Sequence, residues 1–246
     1  MFRFAAAGIA ASIAALAHSP AQAQTAEAFF KNKTLTYIVA TAPGGGYDDY
    51  GRLIARFMAK AMAGSRIIVQ NIPGAGHVIG ADTIYVAKPD GLTIGSFNTG
   101  LILAQLMKEQ GVKFDLTKMS WIGKAASDPR VLVLTKESGV KSVQDLMDFS
   151  KPPAKLSVAG VGSASYIDVK LVAEALHLNV VLVPGFNGNE GEMSMLRNET
   201  TGTLGSESSL KSFVNDGNGF FALEIGGAPD SKIPQGSSFV KVLVLN

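Results

Sequence analysis

The chain has 246 residues, of which 47% are hydrophobic and 17% charged, and it carries a formal net charge of +2. That composition supports a substantial buried interior and excludes a disordered tail, while the near-neutral charge argues against a nucleic-acid binder or a polybasic membrane dock. No cysteine is present, so neither a disulfide framework nor a cysteine-linked lipid anchor is available.

In chain order, "MFRFAAAGIAASIAALAHSPAQAQ" combines Arg3, an alanine-rich apolar run, Pro20 and the small-x-small triplet Ala21, Gln22, Ala23. It reads as a secretory signal peptide over residues 1–23, cut before Gln24, whose loss lowers the formal charge to +1. A short transmembrane anchor is the alternative, but the run ends at His18 after about a dozen residues and a span needs about twenty. A periplasmic protein stabilised by its core rather than by disulfides is the expectation.

The segment "TLTYIVAT" reads as a buried strand, and residues 48–62 as a helix with Leu53, Ile54, Phe57, Ala61 and Met62 on one side. Asp48, Arg52, Arg56 and Lys60 recur every four residues on the other side, an acid-first order that suits the helix dipole. "RIIVQNI" predicts a second strand, "PGAG" a turn, "HVIGADTIYVA" a helix stopped by Lys88 to Gly91, and "LTIGSFN" a third strand. This strand–helix alternation predicts right-handed crossovers in a largely parallel sheet, with ligands beyond the strand carboxyl ends.

The pattern then resets. "SWIGKAASDPRVLVLT" reads as extended, "SVQDLMDF" as a helix capped by Ser142, "KLSVAGV" and "NVVLVPG" as strands, and "SYIDVKLVAEAL" and "EGEMSML" as helices. The expected division is a first αβ lobe over 24–125, a second over 126–238 and a crossing strand over 239–246, with a short hinge near Ala125 to Asp128.

Three turns share one design, a strand followed by glycines or small polar residues and then a helix N-terminus: "APGGGYDD", "IPGAGHVIG" and "GVGSASYI". Glycine lets backbone approach a ligand, and free N–H groups at a helix start suit an anion, although βα turns also use glycine for purely structural reasons. The first and third turns lie in different units, which places a cleft between lobes. Gly74, Gly76 and Gly80 also form a loose dinucleotide-type spacing, against which Pro73 and the lack of a ribose-binding acid both count. There is no phosphate-loop lysine, no Gly-x-Ser-x-Gly elbow and no His-Glu-x-x-His, so neither catalysis nor a metal site is expected. His77 could cap its helix or touch a ligand, and His177 reads as structural.

The stretches "YIVATAPGGGYDDYGRLIARFMAKAM", "IIVQNIPGAGHVIGADTIYVAKPDGLTIG", "VGSASYIDVKLVAEAL" and "VPGFNGNEGEMSMLRNE", in this order, resemble the periplasmic solute-binding receptors of tripartite tricarboxylate transporters. The resemblance implies an α/β, two-lobed type II periplasmic-binding fold that captures a small carboxylate without a cofactor and passes it to a membrane permease. It implies ligand contacts from backbone N–H groups, hydroxyls and water rather than an arginine clamp. By position it carries over Gly45, Gly46, Tyr47 and Asp48 in the first lobe, with Asn98 and Thr99 after the third strand. In the second lobe it carries over Gly162, Ser163, Ala164, Ser165 and Tyr166, with Phe186, Asn187 and Gly188 as a wall and Ser206 and Glu207 at the ligand's far end. Asp48 has two readings, a helix cap or an acceptor for a ligand hydroxyl or ammonium.

Phe186 stands where relatives carry tyrosine, and Asn198 and Thr201 replace the usual glycine and aspartate. Relatives also continue beyond "FVKVLVL", so the resemblance implies a shortened return to the first lobe, and a monomer unless that exposes an apolar face. The alternatives to a receptor are an interaction or sensor module that has lost ligand capture, and an NADP-binding enzyme.

Overall fold

A computed structural model describes residues 25–226 and 241–242. The signal peptide read over 1–23 lies outside these residues, as does the crossing strand over 239–246 apart from Lys241 and Val242. The chain forms two α/β lobes, each built on its own sheet.

The first lobe opens with a short helix α1 (Ala26–Phe30) and then runs β1 (Thr34–Val39), α2 (Gly46–Ala61), β2 (Arg66–Asn71), α3 (Val78–Tyr85), β3 (Thr93–Ser96) and α4 (Gly100–Leu106). Its three strands pair in parallel in the order β2-β1-β3. This matches the strand and helix alternation expected from periodicity, and the apolar run of β1 supplies the buried Leu35, Tyr37, Ile38 and Val39. Val78 and Ala81 of α3, Leu101 and Ala104 of α4, and Phe114 and Leu116 beyond them make a second buried cluster. The segment that forms α4 carries no element in the sequence reading, and its outward residues Ile102, Leu103, Leu106 and Met107 stay exposed, Leu106 to 70%.

The second lobe contains β4 (Arg130–Thr135), β5 (Ala154–Val158), α5 (Ala164–Leu176), β6 (Val180–Pro184), α6 (Glu190–Leu196), β7 (Gly202–Ser206), α7 (Glu207–Asn215), β8 (Gly219–Ile225) and β9 (Lys241–Val242). The sheet order is β6-β5-β7-β4-β8-β9. Strand β4 runs antiparallel to β7 and β8, and the other pairings are parallel. Period two shows in β4 itself: Leu132 and Leu134 join one buried cluster with Leu156, Val158 and Val169, while Val131 and Val133 join Met195, Leu210, Phe213 and Phe221 on the opposite face.

Three local outcomes differ from the sequence reading. The segment "SVQDLMDF" forms a 3-10 helix over Val143–Met147, with the expected Ser142 cap in a reciprocal capping box with Asp145. It stops because Asp148 turns its side chain to the Ser150 N–H and hydroxyl, at 3.0 and 2.6 Å, which competes with helix continuation. The extended stretch before β4 narrows to Arg130–Thr135. Strand β7, "GTLGS", carries one large apolar residue and two glycines, too little signal to register as a strand from sequence.

The glycines of "GAGHVIG" have packing roles here. A Cβ on Gly80 would lie 2.6 Å from Ala40 Cα and 2.7 Å from the Ile72 carbonyl oxygen, so this glycine lets α3 press onto the end of β1. Gly80→Ala should lower the unfolding free energy by about 1–3 kcal/mol, because the obstructing atoms are largely backbone and cannot rotate away. Urea denaturation measures this as a lower midpoint at unchanged slope; an unshifted midpoint would show that α3 can move off β1 freely.

Candidate functional site

Among the described residues, every strand except β4 runs with its carboxyl end toward the seam between lobes, and the reversed β4 presents its first residue, Arg130, on that same edge opposite Ser206, the last residue of β7. The seam is closed by backbone. A Cβ on Gly45 would lie 3.0 Å from the carbonyl carbon of Gly188, one on Gly76 3.0 Å from the Ser163 nitrogen, and one on Gly100 2.7 Å from Ala164 Cα. A Cβ on Gly46 would overlap the Ser209 hydroxyl, which pairs with Ser206 at 2.8 Å.

On the first-lobe side, Gly44 and Gly45 take φ of +79° and +82°, a region that suits glycine. Asp48, only 4% exposed, holds this turn to the sheet. Its Oδ2 accepts from the Gly44 N–H at 2.9 Å and Arg52 Nε at 3.0 Å, and its Oδ1 accepts from Asn71 Nδ2 at 2.9 Å. Asn71 Nδ2 also donates to the Thr41 carbonyl at 3.1 Å, and Arg52 returns a bond to Asn71 Oδ1 at 3.1 Å. Burial opposes ionisation of Asp48, but the bonds from Arg52, Gly44 and Asn71 together hold its carboxyl below the usual range. Both carboxylate oxygens are thus engaged within the lobe.

Tyr47 stays 41% exposed while flanked by both lobes. Its ring lies 6.2 Å from that of His77, and its phenol is pushed up by burial and by the Asp168 charge against the opposing pull of Arg130, so it remains a neutral donor. His77 is buried with φ +83°. Asn98 Oδ1 accepts from the Gly100 N–H at 2.8 Å, which turns Asn98 Nδ2 toward His77 Nδ1. Nδ1 is therefore an acceptor, and burial lowers the imidazole to about 4.

On the second-lobe side, Ser163 is fully buried and caps α5. Its Oγ accepts from the Gly160 and Tyr166 N–H groups, each at 3.2 Å, so both lone pairs are used and its proton goes to Ser165 Oγ at 3.1 Å. Ser165 Oγ also accepts from the Ala159 N–H at 3.0 Å. The Ser165 proton is left over, at the start of a 13-residue helix whose first N–H groups face the seam.

This two-lobed arrangement has counterparts among known proteins. A family model, the tripartite tricarboxylate transporter family receptor, matches residues 51–225. The chain belongs to this receptor family. A curated relative from Pseudomonas sp. strain P51, a UPF0065 protein in the tcbD-tcbE intergenic region, is 30% identical over 185 residues, 74% of this chain and 54% of its own length. A UPF0065 protein of Bordetella pertussis is 29% identical over 75% of this chain and 56% of its own length. The chain thus spans about half the length of the curated relatives it matches. Among solved structures, MatC from Rhodopseudomonas palustris with bound malate superposes with a TM-score of 0.70 at 23% identity, covering 78% of this chain and 66% of that one. The periplasmic binding protein BugD superposes with a TM-score of 0.63 at 19% identity, covering 79% and 66%. A further R. palustris protein with adipate gives 0.62 at 20% identity, covering 82% and 70%.

Set in the family's two-lobed frame, the residues singled out from sequence take different places. Gly45, Gly46, Tyr47, Asn98, Gly162, Ser163, Ala164, Ser165 and Ser206 border the seam, and the Glu109 carboxylate of the first lobe lies against Gly162. Asp48 sits behind the first loop, and Tyr166 packs against the second-lobe core. Thr99 is exposed and precedes α4. Gly188 meets the Pro43 and Gly44 carbonyls, and the neighbouring Asn187 N–H donates to Glu190 at 2.6 Å. Phe186 lines a depression whose other residues, Gly185, Glu190, Met193 and Arg197, all belong to the second lobe. Glu207 begins α7 with its N–H on the Pro129 carbonyl at 3.0 Å.

Sequence reasoning missed three seam features. Arg130 pairs with Asp168 at 3.0 Å, and its Nε is buried without a partner among the described residues. Ser96 Oγ, at the carboxyl end of β3, is likewise buried and unpartnered. Ser209 lies in the first turn of α7. None belongs to a glycine turn, and only the position of Ser96 at a predicted strand end offered a signal.

Removing the Asp48 carboxylate leaves the Gly44 N–H and Asn71 amide short of a partner. Asp48→Ala should therefore cost about 1–3 kcal/mol in chemical denaturation, whereas an unchanged midpoint would mean that water replaces the carboxylate fully. For His77 the native pKa of about 4 lies below the ordinary 6.5, so as pH falls through that window the unfolded chain binds a proton that the native state refuses. Stability should fall by on the order of 1.4 kcal/mol per pH unit between those limits. Denaturation at stepped pH, with His77→Asn as the comparison, should show this slope reduced in the variant.

Proposed function

We propose that this chain is a periplasmic receptor that captures a small organic carboxylate between its lobes and delivers it to the membrane permease of a tripartite tricarboxylate-type transporter. The observation that carries this reading is the convergence on one seam of the Gly44–Tyr47 turn, the buried Asn98–His77 pair and the amino end of α5 with its spare Ser165 hydroxyl. These are hydrogen-bond donors backed by a helix dipole, the combination that holds an anion without a dedicated cation. Membership of the receptor family supports it, as do related folds whose solved forms contain malate or adipate. The leader-like composition of residues 1–23 supports export, and among the described residues no helix is long and apolar enough to cross a membrane.

The seam residues divide the work. Gly45 and Gly46 allow backbone to close over the ligand, Tyr47 covers it, and the N–H groups of residues 162–165 with the Ser165 hydroxyl bind a carboxylate. Closure follows binding because only the closed arrangement brings both sets of donors to one anion.

A thermal-shift panel of di- and tricarboxylates, aromatic acids and acidic amino acids tests this. A ligand at a hundred times its dissociation constant adds about 2.7 kcal/mol, visible as a shift of several degrees. Ser165→Ala should weaken the best ligand about tenfold and, because the Ala159 N–H loses its acceptor, cost about 1 kcal/mol of stability, whereas Ser163→Ala should cost about as much stability through the lost cap with a smaller effect on affinity. No shift across the panel would favour an interaction module, and a shift with NADP alone would favour an enzyme.

A further inference from the structure

Among the described residues, the Arg130–Asp168 pair is the one ion pair on the seam that joins a strand end to the helix bearing the anion-binding turn. Arg130 reaches the seam only because β4 is reversed in the sheet, and its Nη2 contacts Asp168 Oδ2 at 3.0 Å and, more weakly, the Leu204 carbonyl at 3.4 Å. Asp168 stands on α5 one turn beyond Ser165, about 6 Å along the axis from the helix start. Its side chain is 36% exposed and its Oδ1 takes no hydrogen bond from any described residue. Burial pushes the Asp168 carboxyl up and Arg130 only partly offsets this, while the charges of both act on Tyr47 across the seam. A half-desolvated carboxylate with one idle oxygen gains from a donor and loses from a second anion placed beside it.

We propose that Asp168, oriented by Arg130, is the specificity-determining residue of the cleft and reads a hydrogen-bond donor, an ammonium or a hydroxyl, carried on the ligand within two carbons of the carboxylate bound at the start of α5. The spacing sets that limit: a ligand carboxylate on the N–H groups of residues 164–165 leaves about one helical turn to Asp168 Oδ1. This rests on the carboxylate-receptor reading and adds to it the class of substituent selected. Arg130 has a positioning role. It fixes Oδ2 and keeps the carboxylate ionised, and the ligand donor takes Oδ1. An analogue lacking the donor leaves Oδ1 unpaired, which is the kind of mismatch that discriminates most strongly.

The test is calorimetric titration of the full chain with succinate, malate and aspartate, which share a four-carbon frame and carry no donor, a hydroxyl and an ammonium respectively. Wild type should bind malate or aspartate roughly ten- to a hundredfold more tightly than succinate; which of the two leads identifies the donor. Asp168→Asn should erase most of that preference while leaving succinate affinity equal or improved, and Asp168→Glu should recover part of it. Thermal unfolding of each variant checks that it is folded. If succinate binds and the preference is unchanged in Asp168→Asn, the carboxylate reading stands and the role of Asp168 is overturned. If none of the three acids binds wild type, the four-carbon spacing assigned to Asp168 is overturned, and the wider carboxylate panel decides the receptor reading separately.

Discussion

Backbone touches backbone where the two lobes meet, and the rest of the site depends on that close approach. Gly45 against Gly188, Gly76 against the Ser163 nitrogen and Gly100 against Ala164 leave no room for a Cβ, so the lobes meet backbone to backbone. Larger residues at these points would hold the seam open, and in the proposed receptor donors from the two sides would no longer reach one ligand. Glycine in this chain therefore serves contact between lobes at least as much as turn geometry within them.

That contact needs rigid loops behind it. The first-lobe turn is held by the Asp48 carboxylate, whose three hydrogen bonds reach residues four before, four after and twenty-three after it in sequence. The second-lobe turn is held by two serines that satisfy the Ala159, Gly160 and Tyr166 N–H groups. In both, polar side chains satisfy the local backbone, so under the proposed function little ordering would remain to be done on binding. The His77–Asn98 contact extends the same logic to the floor of the seam, where a neutral imidazole accepts from an amide pinned by the Gly100 N–H.

Much of this was legible along the chain. The apolar runs of β1 and β5, the amphipathic α2 and the glycine-to-helix turns each rest on neighbours within a few residues, so spacing alone locates them. The same is true of the Ser142 and Ser163 caps, which act on N–H groups three residues away. Asp48 was legible only as far as its place at the helix start; its bond to Asn71 depends on β2 lying beside β1. Strand β7 escaped because its stability comes from pairing with β4 and β5 and not from its own composition.

The sequence by itself determined the two αβ units, the turns that face a cleft and the family whose receptors share them, because periodicity, glycine and capping act over short distances. Only the tertiary structure decided that β4 runs against its neighbours and so delivers Arg130 to the seam, 38 positions before the Asp168 it pairs with. It also decided which serine keeps a proton to donate and that Asp48 spends both oxygens inside its own lobe. Those outcomes depend on strand direction and on counting every partner around an atom, and neither is written in the local order of residues.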